Sequence, residues 1–154
     1  MKRLLAIAVA TVILVPAVHA ETTLVSHSDG ENSILVDIRG VKELAGTLRL
    51  TMYDSPAGFP GDVRKSVARD LLKLKKGMKK FAFELPGLPA GDYAVSVHHD
   101  ANGNDKFDRN WLGLPKEPWG ASRDARGSYG PPEFEDAVFL HRGSQTRLVI
   151  HLVE

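Results

Sequence analysis

Apolar and polar residues alternate along most of the chain after residue 30, and that period predicts strands. Ser33 to Val41 carries Ile34, Val36 and Ile38 at every second position. Gly46 to Tyr53 sets Leu48, Leu50 and Met52 on one face against Thr47, Arg49, Thr51 and Tyr53 on the other. Lys80 to Leu85 places Phe81 and Phe83 together, Pro86-Gly87-Leu88-Pro89-Ala90-Gly91 reads as a turn, and Asp92 to His99 alternates through Tyr93, Val95 and Val97. Glu135 to Leu140 and Gln145 to Val153 read as two late strands around His141-Arg142-Gly143-Ser144. One-sided alternation describes sheets packed on one face and wetted on the other. The fold class expected is therefore all-β, a single Ig-like β-sandwich of about seven strands.

Two stretches break the pattern. Between Gly61 and Gly77, Val63, Val67, Leu71 and Leu74 share a helical face, yet Leu72 and Leu74 alternate with Lys73 and Lys75. The reading adopted is a strand ending near Leu74 behind an irregular or short helical lead-in, then a hairpin at Lys76-Gly77-Met78. Residues 100–133 contain five Gly and four Pro and predict one long loop. Loops of that length in a compact domain tend to be functional, and Phe107, Trp111, Trp119 and Tyr129 argue for order within this one.

The first twenty residues are read as a signal peptide. Lys2 and Arg3 precede an uncharged run from Leu4 to Val15, Pro16 breaks it, and Val18-His19-Ala20 suits a signal peptidase. That run is too short to span a bilayer, and no later segment is long enough to insert into a membrane. Cleavage would leave 21–154 as one domain and take the net charge from +1 to −1. The expected location is a bacterial periplasm or the exterior. So small a net charge gives no bulk electrostatic reason to bind nucleic acid. The absence of Cys removes disulfides, zinc–thiolate sites, iron–sulfur clusters and cysteine nucleophiles.

The chemistry-bearing residues gather in the long loop. Asp100, Asn102, Asn104 and Asp108 place oxygens at positions 1, 3, 5 and 9 of a tight turn, and the Lys106 carbonyl falls at position 7. This is the opening of a calcium loop, since calcium takes six to eight hard oxygens. It departs from an EF-hand at position 6, which is Asp105 rather than Gly, and at position 12, which is Trp111 rather than Glu. Glu135 or Asp136 is expected to close the site, with a Kd of about 10⁻⁴–10⁻³ M as in extracellular modules. The plainer alternative is an Asx- and Gly-rich turn.

His98 and His99 precede the loop on opposite faces of a strand and so cannot share one metal. A general base or metal ligand is one reading of either, and a half-buried and a solvent-facing His is the plainer one. No Gly-x-Ser-x-Gly, phosphate-binding glycine loop or His-Glu-x-x-His occurs. Trp111, Trp119 and Tyr129, with Arg123 and Arg126 as donors, suit sugar stacking, although aromatic anchoring of the loop onto the sandwich is the favoured expectation. Lys73, Lys75, Lys76, Lys79 and Lys80 form a basic hairpin end, read as solvated and only weakly attractive to an anionic surface.

Leu88-Pro89-Ala90-Gly91-Asp92-Tyr93-Ala94-Val95-Ser96-Val97-His98-His99-Asp100, followed by Asn102-Gly103-Asn104, resembles the small secreted bacterial proteins grouped as domain of unknown function 2141. Leu112-Gly113-Leu114-Pro115-Lys116-Glu117-Pro118-Trp119-Gly120 is similar to that family's second signature. Ala125-Arg126-Gly127, Gly130-Pro131-Pro132 and Phe134-Glu135-Asp136-Ala137 are similar to its third, so the likeness covers about residues 34–153. Family members commonly carry Gly where this chain has Asp105, which either adds a ligand or spoils the turn. The Pro-Ala-Gly-Asp-Tyr stretch also resembles carboxypeptidase regulatory-like and transthyretin-like sandwiches. The resemblance implies fold and export and no activity. The expected function is an exported, non-catalytic binding module pinned by calcium, for a protein or a cell-envelope glycan. Its rivals are a carbohydrate module using the loop aromatics and a metal-dependent hydrolase using His98 or His99.

Overall fold

In the computed structural model, residues 32–128 and 130–154 are described; the signal-peptide reading of 1–20 and the Tyr129 site lie outside them. Among the described residues, eight strands form two sheets. β1 (Ser33–Arg39) lies between β4 (Ala82–Pro86) and β8 (Thr146–His151), antiparallel to the first and parallel to the second. The other sheet runs β3 (Ala68–Lys73), β2 (Thr47–Tyr53), β5 (Gly91–Asp100), β6 (Trp119–Ala121), with β7 (Phe139–His141) paired to the start of β5. The alternation read from the sequence decides which faces meet. Ile34, Val36, Ile38, Phe83, Leu85 and Ile150 from one sheet pack against Leu48, Leu50, Met52, Tyr93, Val95 and Val97 from the other. The all-β sandwich is as expected, with eight strands rather than about seven.

Residues 61–77 follow the adopted reading: a single turn of 3₁₀ helix at Val63–Lys65 leads into β3. Two expectations are corrected. Glu135–Leu140 is no strand: Phe134–Ala137 forms one helical turn (α1), and only Phe139–His141 is extended. Phe134 and Ala137 are buried three residues apart, the helical spacing. The 100–133 loop is also not continuous, because β6 interrupts it. Trp119 exchanges backbone hydrogen bonds with Val153 at 2.9 and 2.8 Å, so β6 ties the β5 sheet to the chain leaving β8. Gly120 allows that approach, since a Cβ there would lie 2.7 Å from Ile150 and 2.9 Å from the His151 carbonyl.

The outer face of the β2–β5 sheet is half covered. At the Tyr53 end, Tyr53, Phe59 and Phe134 stack edge to face at 5.5 and 5.9 Å over Ala94, Ala121 and Ala137. Buried Ser122 joins this cap to the sheet: its Oγ accepts the Val95 N–H at 2.9 Å and donates to the Ala137 carbonyl at 2.6 Å. Ser122→Ala strands both partners and is expected to cost about 2 kcal/mol, read as a lower urea midpoint at unchanged slope. A loss below about 0.5 kcal/mol would mean that neither bond matters.

Candidate functional site

The other end of this outer face carries the polar residues. Register sets Thr47 opposite Asp100 and Arg49 opposite His98, and on the far side His98 opposite Trp119. His99 N–H donates to the Pro118 carbonyl at 2.8 Å, which brings Glu117 alongside Asp100 where the loop returns. The loop from 101 to 118 is thus rooted at both ends on one sheet edge.

Asp100 is fully buried, and its carboxylate organises the loop. Oδ1 accepts the backbone N–H of Gly103 and Asn104 at 2.7 and 3.1 Å; Oδ2 accepts Asp105 N–H and Arg49 Nε, both at 3.0 Å. Four donors fill the roughly four lone-pair sites of a carboxylate. Burial alone raises its pKa, but the N–H donors of Asp105, Arg49 and Gly103 together hold it below the ordinary value. Asp105 supplies the left-handed turn at φ 63°, and its carboxylate goes to the Arg49 guanidinium. The missing Gly does not spoil the turn: it closes with Asp105 in the left-handed region, and Asp105 pairs with Arg49.

Asn102 and Asn104 turn toward one point. Their Nδ2 groups donate to Asp108 Oδ2 at 2.7 and 3.0 Å, while their Oδ1 atoms accept Asn104 N–H and Lys106 N–H at 3.0 and 2.9 Å. Glu117, missed in the sequence, joins the loop through the Asp108 backbone. It is only 5% exposed; Oε2 accepts Asp108 N–H at 3.1 Å, and Oε1 is buried with no partner among the described residues. Among the described residues no three His, Asp or Glu side chains stand close enough to share one metal ion. The loop offers amides and backbone carbonyls beside its carboxylates.

Glu135 and Asp136 cannot close this loop, which corrects that expectation. Phe134 beside them packs through Phe59 onto Tyr53, six residues along β2 from Thr47, or about 20 Å at strand rise.

Neither imidazole of the pair has a free carboxylate to orient it. His98 packs against Phe107 at 5.4 Å, and burial first, then the Arg49 charge, pushes its pKa down to about 4. Its Nε2 is buried and has no partner among the described residues. His99 is buried and donates Nε2–H to the Ala45 carbonyl at 2.7 Å. A depression of about 480 Å³ runs along Val63, Arg64, Ser66, Val67, Ala68 and Arg69, and Ser66 Oγ in its lining donates to the Val63 carbonyl.

The aromatics divide. Phe107, not Trp111, anchors the loop, lying between His98 and the Arg109 guanidinium, 5.1 Å from its ring centre. Residues 109–115 form a small hairpin of their own: Asn110 N–H donates to the Leu114 carbonyl at 2.8 Å, and Asn110 Oδ1 accepts Leu112 and Leu114 N–H at 2.9 and 3.0 Å. Its tip leaves Trp111 91%, Leu112 61% and Leu114 56% exposed, so the expected aromatic anchoring fails for Trp111. Trp119 is half-buried in β6. Arg123 donates to the Val138 carbonyl at 3.2 Å, and Arg126 is exposed in the segment that follows. The structure thus gathers Asp100, Asn102, Asn104, Lys106 and Asp108 in one loop and places Trp111, Trp119 and Arg126 on three separate elements.

No curated protein and no solved structure matches this chain. A family model does match, over residues 36–148, and its description is "Uncharacterized protein conserved in bacteria". That span takes in both sheets, the 100–108 loop, the exposed hairpin and Glu117; the chain is a member of the domain of unknown function 2141 family.

Proposed function

We propose that this chain is an exported, non-catalytic binding module whose 100–118 loop is held in shape by a calcium ion. The observation that carries the reading is Glu117. A carboxylate oxygen buried without a partner is costly, and the other oxygen of this carboxylate accepts the Asp108 N–H, which ties Glu117 to the loop that carries Asn102, Asn104 and Asp108. A cation beside Oε1 would compensate it. The Asn102 and Asn104 amides present Nδ2 to Asp108 here, so ligation requires each to turn toward the ion its oxygen, which now accepts one backbone N–H and retains a second lone pair. Asp100, saturated by N–H donors, serves as the anchor of the turn. The Lys106 carbonyl and the carboxylates of Asp108 and Glu117 complete a set of hard oxygens, the donor type calcium takes. An ion there would fix the stalk of the exposed hairpin and so prepare it for a partner.

The test is a calorimetric titration of the chain with calcium, with melting followed in calcium and in chelator. A saturable heat with a Kd of about 10⁻⁴–10⁻³ M and a rise in Tm of roughly 4–10 °C at millimolar excess are expected. Glu117→Gln should abolish both while keeping the sheets folded. No heat in the wild type at such concentrations, or an undiminished heat in the Gln variant, overturns the reading.

A further inference from the structure

The exposed hairpin does not stand alone at its end of the sandwich. β3 and β5 both run antiparallel to β2, and Lys73 and Asp100 face the same residue, Thr47. The lysine hairpin of residues 73–80 and the 101–118 loop therefore leave the sheet at the same end, two strand spacings or about 10 Å apart. All five hairpin lysines are exposed, as are Lys106, Arg109 and Lys116 around the tip, and none forms an ion pair among the described residues. The exposed carboxylates here, Glu43, Asp105 and Glu154, are fewer; Asp105 is paired with Arg49 and Glu154 with Lys42. The chain's small net charge conceals this one-ended excess of cations.

The tip itself is apolar and convex. Trp111, Leu112 and Leu114 expose most of their surface within four residues, on a turn fixed by Asn110. Leu112 and Leu114 have no hydrogen bond to offer a sugar, and a convex tip fits a protein only where that protein supplies a matching pocket. A surface that is flat, anionic outside and apolar beneath accepts both features: cations sit at its headgroups, Trp at its interface and Leu below.

We propose that this end of the sandwich docks onto an anionic phospholipid bilayer, with Trp111, Leu112 and Leu114 entering the interface and the lysine hairpin lying on the headgroups. Docking of this kind is peripheral and needs no spanning segment; among the described residues no helix is long and apolar enough to cross a membrane. The proposal rests on the binding-module reading and does not require the calcium site.

The test is cosedimentation of the full chain with phosphatidylglycerol–phosphatidylcholine vesicles and with phosphatidylcholine alone, following tryptophan emission, in calcium and in chelator. Binding to the anionic vesicles, a blue shift and release by salt are expected. Trp111→Ser/Leu112→Ser should weaken partition at least about tenfold and abolish the shift. Lys75→Glu/Lys76→Glu should weaken it by a similar factor. All four positions are exposed, so melting temperature serves to confirm that each variant folds. Equal binding to both vesicle types, no binding at millimolar lipid, or displacement by a soluble anionic polysaccharide with undiminished binding of the Ser variant each overturns docking. Absent vesicle binding beside a saturable calcium heat overturns docking alone; vesicle binding without that heat overturns the calcium loop alone.

Discussion

Asp100→Ala is expected to lower the stability of the fold by about 3–5 kcal/mol, the range for removing one partner of a buried, hydrogen-bonded ion pair. The substitution leaves three backbone N–H groups and the Arg49 guanidinium, itself one-fifth exposed, facing a void at the end of β5. Asp100→Asn keeps the shape and one acceptor, so it should recover part of the loss; equal losses would mean that the charge alone matters. The dependence on pH has a definite sign. A carboxyl held below its ordinary value in the folded state binds protons more readily when unfolded. Its contribution is therefore complete above the unfolded value of about 4 and disappears as pH falls through the lower folded value. Urea midpoints measured across that acid range should fall more steeply for the wild type than for Asp100→Asn. Parallel curves would remove Asp100 as the electrostatic anchor of the loop.

The sandwich was legible because period-two alternation reports burial directly: Ile34, Val36 and Ile38 face inward as their spacing says. The elements misread were those too short to show a period. Phe134 and Ala137 span a single helical turn, and Trp119–Ala121 contains a glycine whose bare α-carbon matters only once Ile150 and His151 lie against it. The candidate site was half legible for a related reason. Asp100, Asn102, Asn104 and Asp108 are neighbours in the chain, and their local spacing announces a turn. Arg49 reaches Asp100 from 51 positions away through the β2–β5 register, and Glu117 arrives only because β6 pairs beside His98. Trp111 misled in a different way. Its size argued for burial, but Asn110 satisfies the hairpin locally, so the turn stands without an aromatic anchor.

Gly46→Ala should be comparably damaging, at about 3 kcal/mol or more, although it alters no side chain of the site. Gly46 sits at φ +71°, where an L-residue costs about 1–2 kcal/mol. The larger part is contact: a Cβ would fall on the Asp100 carbonyl oxygen and within 2.7 Å of the Ala101 Cα. Both obstacles are backbone, so no rotamer change relieves them. The Gly46 carbonyl also accepts Leu74 N–H at 3.0 Å, so any retreat of residue 46 strains the end of β3. Gly77→Ala is the control, because Gly77 has φ +88° with nothing within 4 Å of its Cβ position. It should cost only about 1 kcal/mol, the conformational share. The difference between the two isolates the close approach of the β1–β2 connection to the root of the 101–118 loop. If that approach seats the loop, Gly46→Ala should also speed tryptic cleavage at Lys106 and Arg109, while Gly77→Ala leaves that rate unchanged. Equal stability losses in the two variants would show that residue 46 is held by its conformation and not by the loop it supports.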